Sequence, residues 1–103
     1  MAILNHNDRI ERLKSFYDHN KKLFASFENV YLFGSILSND YSNDVDLLLV
    51  YTHYKFDLLC DIEFIVETVE SVISLPVDLT VLSVEELYDT GFLNKIKEYR
   101  QIK

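Results

Sequence analysis

Val30-Tyr31-Leu32-Phe33-Gly34-Ser35 and, after eight intervening residues, Asp44-Val45-Asp46-Leu47-Leu48-Leu49-Val50-Tyr51-Thr52 form the stretch on which the fold turns. The first run is short, apolar and stopped by Gly-Ser, which reads as a buried strand. The polar residues 38 to 43, Ser-Asn-Asp-Tyr-Ser-Asn, are turn formers and read as a loop. From Asp44 to Thr52 a second strand is predicted. It is apolar at consecutive positions beyond Asp46, the pattern of a strand covered on both faces.

Outward from this pair, residues 7 to 27 carry Ile10, Leu13, Phe16, Tyr17, Leu23, Phe24 and Phe27 mostly at three- and four-residue spacing. That spacing predicts an amphipathic helix, with Asn7 as its N-cap. Residues 57 to 74 return to helical spacing through Leu58, Ile62, Ile65, Val66, Val69, Val72 and Ile73. Pro76 suits the start of a strand, and Val77 to Leu82 is the third strand. Ser83-Val84-Glu85-Glu86 is a capping box that opens a last helix, interrupted at Gly91. The order is α-β-β-α-β-α. A long helix between strands two and three predicts a parallel crossover. The fold class is α/β (α+β), a sheet with helices packed on it.

The chain has 103 residues, enough for one core, so residues 1–103 are expected to form a single domain. Lys and Arg number 10 against 17 Asp and Glu, a net charge of −7. Such a chain is a poor binder of phosphate backbone, so direct nucleic-acid binding is not expected. No run approaches the roughly 20 apolar residues of a membrane span. The start, MAILNHNDRI, is too polar for a signal peptide. Cys60 is the single cysteine, which excludes an internal disulfide and points to a reducing compartment, the cytoplasm. It is expected to pack as a small apolar residue. His6, His19 and His53 show no metal spacing. The aromatic residues fall mostly at core spacing rather than forming a base-stacking platform.

Chemistry enters through the acids. Asp44 and Asp46 are two apart on a strand and so face one side. Two close carboxylates repel unless a cation sits between them, and hard oxygen ligands at this spacing suit Mg²⁺. An Asp inside an apolar strand is costly without a partner. Asp78 interrupts the third strand in the same way. Three converging carboxylates can hold a pair of Mg²⁺ ions that clamp an in-line phosphoryl displacement. The bound ions then supply the positive charge that the chain lacks. Gly34 permits a sharp turn and close approach of a ligand, and free amides of a turn at Ser35 can bind phosphate.

With these residues placed, the chain resembles the minimal nucleotidyltransferase family of the DNA polymerase beta nucleotidyltransferase superfamily. The resemblance rests on Gly34-Ser35, the Asp44-Val45-Asp46 strand and Asp78, and spans nearly the whole chain. It implies a small mixed sheet flanked by helices and Mg²⁺-dependent transfer of a nucleoside monophosphate, AMP from ATP. It implies that Asp44 and Asp46 are metal ligands, and Asp78 a ligand and base for the acceptor hydroxyl. Gly34 and Ser35 would hold the triphosphate. Free-standing members of this size often pair with a HEPN-domain RNase toxin, which they modify as its antitoxin. The chain departs from the family at Ile36 and Leu37, where members often carry Arg or Lys. No Lys or Arg lies between Lys22 and Lys55. Lys95, Lys97, Arg100 and Lys103 could compensate, although they read first as a solvated helix face. The alternative is a binding module that neutralises its partner by contact alone.

Overall fold

The computed structural model describes residues 5–103. The first four residues of the polar start therefore lie outside the described residues.

Helix α1 (His6–His19) is capped by Asn5, whose side chain accepts from the Asp8 amide at 2.9 Å. The cap is thus Asn5 and not Asn7. The helix also ends sooner than expected. At Asn20 the side-chain amide donates to the Phe16 carbonyl at 2.8 Å, competing with the helical ladder. A 3-10 turn, Lys21–Phe24, follows, and Phe27 already belongs to strand β1 (Phe27–Phe33). The apolar spacing that suggested one long helix is shared by three pieces that all face one core.

A 3-10 turn, Ser35–Leu37, leads by a loop into β2 (Val45–Tyr51). Helix α2 (Leu58–Ile73) then returns the chain to β3 (Val77–Ser83). The sheet order is β3-β2-β1-β4. β2 and β3 run parallel, as the long crossover helix requires, whereas β1 and β2 are antiparallel. Ser83 and Glu86 form the expected capping box at the start of α3 (Val84–Thr90).

The C-terminal segment differs from expectation. Helix α4 (Phe92–Ile96) ends at Lys97, whose φ of 64° breaks the helix. Tyr99–Gln101 is then strand β4, paired antiparallel with β1. Arg100 and Lys103 therefore do not lie on a helix face. The Lys103 ammonium donates to the Phe24 and Phe27 carbonyls at 2.8 and 2.6 Å.

The sheet is covered on both faces. On one side Ile10, Leu13, Leu32, Leu47, Leu49, Ile65 and Val69 join α1 and α2 to the sheet. On the other, Tyr31, Leu48 and Val50 pack against Leu87, Phe92 and Leu93 of α3 and α4. The apolar run after Asp46 is explained by this double burial. Each such side chain contributes about 1.5–3 kcal/mol relative to exposure. Among the described residues no helix is long and apolar enough to cross a membrane.

Candidate active site

The parallel pairing of β2 and β3 decides where the acids go. The Val45 amide donates to the Pro76 carbonyl at 2.9 Å and ties the two strand starts together. The next register pair is Asp46 opposite Asp78. Paired residues of neighbouring strands project to the same face, about 4.8 Å apart. Asp44, just before β2, completes the group. One carboxylate oxygen from each of Asp44, Asp46 and Asp78 lies within 4.8 Å of the others.

Asp46 is the most perturbed of the three. Its pKa is pushed up to about 6, first by burial, then by the charges of Asp44 and Asp78, and last by a hydrogen bond with Asp78. A carboxylate raised by both desolvation and like charge is one that a cation would discharge. The donor set is three hard oxygens, which suits Mg²⁺. The arrangement fits a divalent ion held by Asp44, Asp46 and Asp78.

Gly34 stands directly against this group, because Phe33 pairs with Asp46 across the antiparallel ladder. Its φ is +83°, and a Cβ placed on it would lie 1.9 Å from the Asp46 Oδ2. Only glycine leaves that space free. A turn does begin at Ser35, which is exposed, and its hydroxyl hydrogen-bonds that of Ser42. Gly34 and the three acids therefore meet at one end of the sheet, on the α3 and α4 side, and Ser35 follows Gly34 in the adjoining turn.

Residues 11–103 match the family model described as a nucleotidyltransferase domain. The chain belongs to the nucleotidyltransferase domain family. No curated protein sequence matches this nucleotidyltransferase domain, but solved structures share its fold. One is a complex of a tri-AMPylated HEPN toxin with its MNT antitoxin from Shewanella oneidensis. It aligns at 14% identity with a TM-score of 0.57, covering 92% of this chain and 71% of that one. A protein from Sulfolobus solfataricus, described as a nucleotidyltransferase, aligns at 24% identity and TM-score 0.56, covering 94% and 81%. The MntA–HpeT toxin–antitoxin pair, in mutant form, aligns at 16% identity and TM-score 0.56, covering 97% and 73%.

Several residues of the nucleotidyltransferase domain take places that differ from sequence expectation. Cys60 is exposed on α2 and not packed. Tyr41, Tyr54, Phe56, Phe64, Tyr88 and Tyr99 are exposed large aromatics. His53 lies beyond the far end of β2 and is exposed, away from the acids. Lys103 is bonded near the start of β1, the end opposite Gly34. Lys95 and Lys97 instead precede Tyr99, which pairs with Phe33 beside Gly34.

Three residues around the loop escaped sequence reading. Ser42 is buried at 6% exposure and bonds Ser35. Asp40 accepts from the His6 amide at 2.8 Å and meets the His6 Nδ1 at 2.6 Å. Those His6 hydrogen bonds, the amide's first, hold the Asp40 carboxyl below its ordinary range. Arg9 is 9% exposed and donates to the Asp40 carbonyl at 3.0 Å. Its signal was available: Arg9 shares the spacing of Leu13 and Phe16, so it is a charge on the apolar stripe of α1.

Proposed function

We propose that this nucleotidyltransferase domain transfers AMP from ATP, with Mg²⁺, to a HEPN-type toxin and so acts as its antitoxin. The observation that carries the proposal is the meeting of Asp44, Asp46 and Asp78 within 4.8 Å beside Gly34. The shared fold with an MNT antitoxin in complex with an AMPylated HEPN toxin supports the choice of partner. A cytoplasmic setting, where a lone thiol stays reduced, goes with it.

In this scheme Asp44, Asp46 and Asp78 hold the metal, which supplies Lewis acidity at the phosphates when bound. Gly34 keeps side-chain bulk away from the Asp46 carboxylate, and Gly34 and Ser35 receive the triphosphate. Asp78, the most open of the three acids, takes the proton of the acceptor hydroxyl. The acceptor oxygen bonds to the α-phosphorus, the bond to the bridging oxygen breaks, and pyrophosphate leaves.

The test is mass spectrometry of a HEPN toxin co-expressed with the chain. A nucleotide-sized mass increment is expected with the native chain and its absence with Asp44→Asn/Asp46→Asn. An increment that survives the double substitution overturns the assignment of the acids.

A second proposal is neutralisation by contact alone. It is favoured by Ile36, which is buried where the family often places a basic residue. Toxin neutralisation that persists in Asp44→Asn/Asp46→Asn with no mass increment on either version would establish it.

A further inference from the structure

Arg9 is a buried cation whose only hydrogen bond among the described residues is to a main-chain carbonyl. Its Nη1 donates to the Asp40 carbonyl oxygen, while its Nε is buried with no partner among the described residues. Among the described residues no carboxylate lies within ion-pair distance of it. A buried guanidinium with one hydrogen bond, and only a longer-range attraction to the Asp40 carboxylate, is costly. What it does hold is the loop between Ser35 and Asp44. That loop is tied in three further places. The Asn39 amide donates to the Ser35 carbonyl at 2.8 Å, Ser42 bonds Ser35 through their hydroxyls, and His6 bonds Asp40. Ile36 anchors the turn in the core. The loop carries Ser35 at one end and Asp44 at the other, and both belong to the site.

We propose that Arg9 is a positioning residue of the nucleotide site, fixing the 35–44 loop from α1 so that Ser35 and Asp44 stand together beside Asp46. The proposal rests on the nucleotidyltransferase reading given above. It also answers a local need. Ile36 and Leu37 bring no charged side chain to the turn, and the ties within the loop do not join it to α1. Arg9 supplies a hydrogen bond from the helix face behind the loop, and its own burial keeps it from touching the nucleotide directly.

The experiment is calorimetric titration of the full chain with ATP and Mg²⁺, run beside a thermal melt. Arg9→Met keeps an unbranched apolar stem and removes the donors. Its dissociation constant for ATP with Mg²⁺ is expected to rise roughly 10–100-fold, the range for supporting residues of a metal site. Arg9→Lys, which retains a donor, should recover part of the loss. Ile65→Val, a core substitution on α2, should lower the melting temperature without changing the dissociation constant. That separates positioning from bulk stability. An Arg9→Met constant within about twofold of the native one overturns the proposal, being well short of that range. Should Arg9→Met fail to fold, Arg9→Leu is judged by the same criterion. If the native chain binds no ATP with Mg²⁺, the proposed function fails, and the loop role is then read from amide exchange. Faster exchange at Asn39 and Ser42 in Arg9→Met, or in Arg9→Leu, sustains it, and unchanged exchange overturns it.

Discussion

Asp46 is where charge, burial and backbone all bear on one side chain. Its pKa of about 6 lies above the ordinary carboxylate value, so its protonated form favours the folded state. The stabilising contribution of this protonation is complete below the ordinary carboxylate range and is lost as pH rises through about 6. At pH 7 the metal-free chain therefore carries an unfavourable charge. Asp46→Asn is expected to raise metal-free stability at pH 7 by about 1 kcal/mol, discounted for partial solvent exposure. It should also flatten the dependence of melting temperature on pH between about 4 and 6, read by melts across that range. A melting temperature that falls at pH 7 would contradict the account. Gly34→Ala places a Cβ on the Asp46 carboxylate and strains a positive φ. It should cost about 1–3 kcal/mol of stability and abolish Mg²⁺ binding, which calorimetry reads directly. Gly34, Ser35 and the three acids were legible because each breaks a local pattern: a glycine ends a strand, and an acid interrupts an apolar run. Arg9 breaks the stripe of α1 in the same way, but its partner is a main-chain carbonyl 31 residues away, and no residue type announces that.

At the level of elements, the interior strands and α2 follow from their periodicity, and the ends do not. α1 stops at Asn20 because a side-chain amide captures the Phe16 carbonyl, although apolar spacing continues through Phe27. β4 was hidden because Tyr99-Arg100-Gln101 is exposed and carries no apolar alternation. Its strand conformation comes from the free edge of β1, a partner distant in sequence. Lys103 reinforces that edge through two carbonyls. Lys103→Met should cost about 1–2 kcal/mol by leaving both acceptors without the ammonium. Loss of amide protection in β4 should accompany it, with Mg²⁺ affinity unchanged. Ser83→Ala removes the cap of α3 and should cost about 1 kcal/mol in a thermal melt. The cap lies at the end of β3 opposite Asp78, so this substitution should leave metal binding unaltered.

For the whole molecule, the −7 charge and the metal site are linked. Three of the acids face one another at the end of the sheet, and the proposed ion joining them would bind only the folded chain. Mg²⁺ at 100 times its dissociation constant should stabilise the fold by about 2.7 kcal/mol. The gain should be present at pH 7 and fade below about pH 6, as Asp46 takes up a proton. Melts with Mg²⁺ and with a chelator across that interval measure it. An equal gain at about pH 4.5, roughly one and a half units below that pKa, would separate the ion from Asp46.

The sequence by itself determined the mixed α and β content and the crossover between β2 and β3, and it singled out the five residues proposed for the site. Periodicity, turn chemistry and misplaced charge are local properties, and they survive in one dimension. Only the tertiary structure decided that Asp46 and Asp78 are register partners, that Gly34 abuts the Asp46 carboxylate, and that Arg9 and His6 hold the loop. It also decided that the C-terminal residues close the sheet as an edge strand. These depend on hydrogen bonds and close approaches between segments far apart in the chain. Their energy depends on geometry that no single segment contains.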